Sequence, residues 1–301
     1  MESESESESE KSKKKKKKEK REVVVHVHDD LQAYHPLLQA RGSLACTVPC
    51  TFVHKFGESG ASVGADASVF LGDLEVYRKD PGSRPIPTPK GVLRAVAFRE
   101  AESKFPSHAW AKYDVNITYS RAAHVPFGYV DSVDELLEAA REAGKAGRGE
   151  REVLLSAVAL RCGNPAHEGK DRRAARTKLI RELSAEVEVR SYGACANNAP
   201  WPPGHSKDKA FVSRNSRFCL AFENSVDADY VTEKLFDCLA AASIPVVSGG
   251  PHVRAFAPPK GAIFVEDFED AAALASEIRQ VDGDAEAYAE MRRWITEPEM
   301  A

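Results

Sequence analysis

Apolar residues in this chain fall into short continuous runs separated by stripes of helical spacing, the alternation expected of an α/β protein with parallel sheets. Phe218 to Phe222 and Ile244 to Val247 are runs of strand length. Between them Val231, Leu235, Cys238, Leu239 and Ala242 recur three and four residues apart. That spacing predicts a strand, a helix with one buried face capped by Asp229 or Thr232, and a second buried strand. Glu223, Asn224 and Ser225 then stand outside the carboxyl end of the first strand, where open α/β sheets keep their ligands. Gly249, Gly250 and Pro251 end the unit in a turn that lets backbone approach a ligand closely.

The same grammar recurs upstream. Val153 to Leu160 is a continuous apolar run, and after Asn164 and Pro165 a basic helix is predicted from about Asp171 to Leu183, carrying Arg176, Leu179, Ile180 and Leu183. The segment VEVRSYG, 187–193, follows as a strand. Val96, Ala97 and Phe98, and later Val115 and Ile117, read as strand in the amino-terminal half. Ala285 to Ile295, with Tyr288, Met291, Trp294 and Ile295, reads as an amphipathic helix. The charged stretch 138–152 carries three glycines and loses apolar periodicity after its first residues, so it reads as a linker between two doubly wound halves.

The wording ENS, five residues, YVTEK, then IPVV before a glycine-proline turn resembles the donor-site signature of the α1,3/α1,4-fucosyltransferases, glycosyltransferase family 10. The order of strand, basic helix and Tyr192-Gly193 upstream is similar to that family's donor domain. Residues 65–70, 97–103 and 113–128, with Cys46 and Cys50, resemble acceptor-domain segments more loosely. The resemblance implies an α/β fold of GT-B type, two Rossmann-like doubly wound domains facing a central cleft. On this reading residues 1–21 are a disordered charged tail, 22–140 an acceptor-side α/β domain, 141–152 the linker, 153–284 a GDP-fucose-binding donor domain, and 285–301 a carboxyl-terminal helix and tail.

The implied reaction is inverting transfer of L-fucose from GDP-β-L-fucose to a hydroxyl of a glycan or glycoprotein acceptor, with α1,3 linkage to N-acetylglucosamine. A single displacement of this kind builds charge on the departing diphosphate and frees a proton from the acceptor oxygen. It therefore needs cations near the diphosphate and a base near the acceptor. By resemblance Arg176 grips the donor phosphates, although beside Arg172, Arg173 and Lys178 it also reads as a solvated helix face. Lys234 is the second cation. Glu233 is expected on donor hydroxyls, Asn224 and Tyr230 as donor contacts, with Glu223 orienting the loop and Ser225 as a further candidate. The general base is assigned to Glu102, because Ser103 follows it, with Glu100 in reserve and His124 and His108 as alternatives. No cofactor or metal is expected, since Arg176 and Lys234 serve the diphosphate and no Asp-x-Asp motif is recognised near the donor segment. Two other readings are a same-fold glycosyltransferase with another nucleotide sugar and a non-catalytic sugar-nucleotide-binding protein.

Charge and cysteine usage refine this picture. The first 21 residues hold nine basic and six acidic side chains and almost no apolar one, so they offer nothing to offset the entropy of ordering. With net +3 there and −4 on the whole 301-residue chain, the remainder carries −7, which argues against a nucleic-acid-binding body. The lysine run reads first as a solvated tail, with a nuclear signal, a nucleic-acid contact or a contact for an acidic membrane surface as alternatives. No 18-residue apolar run occurs, whereas eukaryotic family members are held in the Golgi by an amino-terminal helix. Either an anchor lies outside this sequence, the one route to a membrane, or the protein works in the cytosol. Cys219 and Cys238 read as free core thiols, while Cys46 and Cys50 either pair or stay reduced. A zinc site of Cys46, Cys50 and His54 lacks a fourth ligand. Asn116-Ile117-Thr118 is a glycosylation sequon inside a strand-like segment, which argues against its use.

Overall fold

A computed structural model describes residues 22–28, 42–44, 50–55, 64–71, 89–104, 113–130, 132–164, 166 and 171–297. The charged tail, Cys46 and His108 lie outside the described residues. Two compact units divide the chain, residues 1–97 with 110–116 and residues 98–109 with 117–301.

In the first unit the strands are β1 (Val23–His28), β2 (Gly42–Leu44), β3 (Cys50–Lys55), β4 (Ala67–Leu71) and β5 (Leu93–Ala97), in the order β2-β3-β1-β4-β5. All pairings are parallel except that of β2 with β3. Val27, Val69, Phe70, Ala95 and Val96 are buried within it, the continuous burial a parallel sheet demands.

The boundary between the units falls inside β6 (Val115–Thr118), whose last two residues pair with β7 (Val125–Pro126). The second unit continues with α1 (Val133–Gly144), β8 (Val153–Ala157), α2 (Arg172–Glu186), β9 (Val189–Ser191), α3 (Lys209–Arg214), β10 (Ser216–Phe222), α4 (Glu233–Ala240), β11 (Ile244–Ser248), β12 (Ile263–Phe264), α5 (Ala271–Gly283) and α6 (Ala285–Glu290). Strands β8 to β12 form an all-parallel sheet in the order β12-β11-β10-β8-β9. Both faces are covered, and the period of two along β10 shows how. Phe218, Leu220 and Phe222 pack with Ile180 and Leu183 of α2 and Leu274 and Ile278 of α5. Cys219 and Ala221 point the other way, to Leu137 of α1 and Leu235 and Leu239 of α4. The unit is thus doubly wound.

Three expectations meet a different outcome here. Residues 138–152 are no linker: α1 extends to Gly144 and buries Leu137 and Ala140 in the second unit. Arg151 is only 1 % exposed and donates to the carbonyls of Ser216, Ala143 and Ala241 and to Ser243 Oγ, at 2.9–3.1 Å. Cys219 and Cys238 are bridged, not free, because β10 and the buried face of α4 bring their Cα atoms to 5.7 Å. The terminal helix is shorter than expected; α6 stops at Glu290, and a 3-10 turn at Arg293–Ile295 tucks Trp294 and Ile295 against α1 and α4.

Candidate active site

Strand order in the second unit reverses between β8 and β10, and the crevice outside the carboxyl ends of these two strands is where such sheets bind ligands. The loop after β8 forms one wall. It is held by Gly193, where any Cβ would overlap the backbone of Ala159, and by the Cys162–Cys195 disulfide, with Cα atoms 5.0 Å apart. The loop after β10, beginning at Glu223, forms the other. Arg176 reaches from α2 across the crevice: its Nη1 donates to Phe222 O, at the end of β10, at 3.3 Å and its Nη2 to Arg161 O, in the loop after β8, at 2.7 Å. It is 6 % exposed, so the solvated-face alternative fails. Burial pulls its guanidinium below its usual value, opposed by Glu223.

Glu223, 2 % exposed, organises the second wall. Its Oε1 accepts from Thr232 N and Oγ1, both at 2.8 Å, and its Oε2 lies 3.1 Å from Lys234 Nζ. A buried carboxylate persists when it is paired and hydrogen-bonded in this way. Lys234 Nζ also donates to Thr232 Oγ1 at 2.6 Å and Glu233 Oε1 at 3.2 Å. Thr232 is the N-cap of α4, but its hydroxyl serves Glu223 and Lys234 and leaves the helix end without a side-chain cap. Burial pushes the Glu233 carboxyl up, and the charges of Lys234 and Lys209 outweigh it to leave the group below the usual glutamate range. Asn224 Oδ1 is buried and has no hydrogen-bond partner among the described residues. Ser225 is buried beside it in sequence. Tyr230 is buried, edge-on to Tyr119 and Tyr129 at centroid distances of 5.1 and 6.4 Å, and its phenol pairs with that of Tyr129.

Glu102 opens a 3-10 turn, Glu102–Lys104, in the same unit. Its Oε1 accepts from Thr118 Oγ1 at 3.3 Å, and its backbone amide donates to Tyr119 Oη at 2.8 Å. Burial raises its carboxyl above the usual range; Thr118 opposes this, and Asp227 and Asp229 add to it. A carboxylate so disposed is a stronger proton acceptor than an ordinary one. Glu100 lies close enough to Tyr129 and Tyr230 to push both phenols up. His124 is exposed. Thr118, the hydroxyl of the sequon, is fully buried on β6, as the strand pattern implied.

Several residues escape a reading of the sequence. Thr232 stands there as a cap and a letter of the family wording, Tyr119 and Arg121 only within the loosely similar stretch 113–128, and Tyr129 and His252 not at all. The donor segment also contains an Asp-x-Asp, Asp227-Ala228-Asp229, overlooked because it sits inside the family wording. Asp227 Oδ2 accepts from Ser103 N and Tyr119 Oη at 2.9 and 3.1 Å. Asp229 accepts from Arg121 N and Nε and meets His252 Nδ1, each at 2.9 Å. Among the described residues no group of three or more acid, histidine or cysteine side chains is arranged to hold a metal ion.

Residues 166–301 match the family described as Glycosyltransferase family 10 (fucosyltransferase) C-term. The chain is 27 % identical over 260 residues to a putative fucosyltransferase-like protein of Arabidopsis thaliana, covering 83 % of this chain and 43 % of that one. It is 31 % identical over 203 residues to GDP-fucose protein O-fucosyltransferase 3 of Homo sapiens, covering 63 % and 40 %. It thus spans less than half the length of these relatives. Its fold is that of the crystal structure of α1,3-fucosyltransferase with GDP, at TM-score 0.62 and 17 % identity over 92 % of this chain and 82 % of that one.

Proposed function

The chain carries the carboxyl-terminal domain of glycosyltransferase family 10, and from that premise we propose that it transfers L-fucose from GDP-fucose to an acceptor hydroxyl with inversion, in a single displacement. The observation that carries the reading is the link that Arg176 makes between the loop after β8 and the end of β10, together with the buried cluster of Glu223, Thr232 and Lys234 that follows β10. The acceptor oxygen attacks C1 of fucose while the bond from C1 to the diphosphate oxygen breaks. The electron pair leaves with GDP, and the acceptor proton passes to Glu102. Arg176 and Lys234 answer the charge that grows on the diphosphate, and no metal is needed for that task. Asn224, with its unpaired oxygen, and Glu233, on the rim, are suited to the donor's hydroxyls, and Ser225 is a further contact. Tyr230 packs beneath the donor, its phenol being committed to Tyr129.

The acceptor we favour is a glycan, with α1,3 linkage to N-acetylglucosamine. A polypeptide hydroxyl is the second reading, supported by relatives named protein O-fucosyltransferases. Two disulfides in the second unit fit maturation in an oxidising lumen such as the Golgi's rather than in the cytosol. Incubation with GDP-fucose and a panel of glycans and folded polypeptides, read by mass spectrometry, tests the proposal. A mass increment of one deoxyhexose on a panel member is expected. Equal or better transfer from another nucleotide sugar would replace it.

A further inference from the structure

Asp227 and Asp229 lie within the donor signature, and the printed partners of both carboxylates belong to other segments of the protein. Between them they hold the segments of Ser103 and of Tyr119 and Arg121 in the same unit. Asp227 Oδ2 accepts from Ser103 N at 2.9 Å and Tyr119 Oη at 3.1 Å, and Tyr119 Oη accepts in turn from Glu102 N at 2.8 Å. One carboxylate oxygen therefore fixes the backbone of the Glu102 turn at two successive amides, directly at Ser103 and through a buried phenol at Glu102. Asp229 anchors the neighbouring segment at Arg121. On its other side the Asp227 backbone is seated against Gly250, where a Cβ would overlap the Asp227 carbonyl oxygen, and Tyr230 N donates to that same oxygen at 3.1 Å. The connection runs unbroken from the turn after β11, through the donor loop, to the turn bearing Glu102.

We propose that Asp227 is a positioning residue, which holds the Glu102 carboxylate at its reacting place and ties that place to the order of the donor loop. The proposal rests on the reading of Glu102 as general base. Misplacement of a reacting group by about 1 Å costs on the order of 100-fold in rate. The loss here should appear in turnover, because the side chains proposed to hold GDP are others.

The test uses the full chain, with the acceptor identified by the panel, and compares Asp227→Ala, Asp227→Asn, Tyr119→Phe, Glu102→Gln and the double variant of Asp227→Ala with Glu102→Gln. Asp227→Ala and Tyr119→Phe should each lower kcat by roughly 10- to 100-fold, with GDP affinity by calorimetry within about twofold of the parent. Asp227→Asn, whose amide oxygen still accepts from Ser103 and Tyr119, should recover most of the loss. On a Glu102→Gln background Asp227→Ala should cost nothing further, since there is no base left to position. A slow Glu102→Gln beside an Asp227→Ala at parent rate overturns the positioning role alone, as does an equal, multiplicative loss in the double variant or a parallel loss of GDP binding. A Glu102→Gln that turns over normally overturns the base assignment itself and the positioning role with it.

Discussion

Lys234 pairs with Glu223 and is proposed to meet the donor phosphates, and one pair of variants separates the two roles. Lys234→Met removes the cation 3.1 Å from Glu223, a carboxylate 2 % exposed whose other donors are the amide and hydroxyl of Thr232. Breaking a fully buried ion pair costs about 3–5 kcal/mol. Lys234 is 21 % exposed and the Thr232 donors remain, so about 2 kcal/mol is the better figure. For a domain of this size that lowers the melting temperature by about 4–8 °C. Adding Glu223→Gln removes the stranded charge while its amide oxygen still accepts from Thr232, and melting should return to within about 2 °C of the parent. Donor binding should not return. A lost charged contact to phosphate is worth about 1.5–3 kcal/mol, so both variants should bind GDP about 10- to 150-fold more weakly by calorimetry. A double variant that regains GDP affinity along with stability would show Lys234 to be no more than the counterion of Glu223. An unchanged melting temperature in Lys234→Met would show that the ion pair does not hold the loop.

The raised carboxyl of Glu102 has a definite sign in the pH profile: the base works ionised, so kcat/KM should fall as pH drops through a value above the ordinary glutamate range, and Asp227→Asn or Asp229→Asn should move that limb to lower pH. An acid limb at the ordinary glutamate value, unmoved by either change, would remove Glu102 from the role. EDTA should leave most transfer activity intact; abolition by chelation with restoration by manganese would turn Asp227-Ala228-Asp229 into a metal motif and displace the account of the leaving group. Arg151→Met leaves the carbonyls of Ser216, Ala143 and Ala241 short of a buried donor, and should cost about 3 kcal/mol or more of stability in thermal unfolding without altering the site.

The donor segment was legible because its information is local. One run of about thirty residues holds the strand, the loop, the helix and the following strand, and period-two and helical spacing sort them without help. Arg176 was legible only through resemblance, since a basic helix gives no sign of which arginine turns inward. Contacts between distant segments leave no trace of that kind. The bond from Asp227 to Ser103 spans 124 positions, and nothing in either neighbourhood announces it. The stretch 138–152 misled for a related reason: α1 buries a narrow stripe, Leu137 and Ala140, and the residue that secures its exit is an arginine, which composition assigns to solvent. The Cys219–Cys238 bond was missed because two cysteines on separate apolar elements look alike whether bridged or merely packed.

The Cys219–Cys238 bond encloses every residue from Glu223 to Lys234 in one covalent ring with a sequence separation of 19. A ring of this size keeps the ends of the loop together even in the unfolded chain, which removes about 3 kcal/mol of conformational freedom on the chain-entropy account. The segment proposed to meet a nucleotide sugar thus has less disorder to lose on folding. It also means that a single proteolytic cut inside the ring releases nothing: the two pieces stay joined until the bond is reduced, so a nicked protein runs at full length on a non-reducing gel and as two fragments on a reducing one.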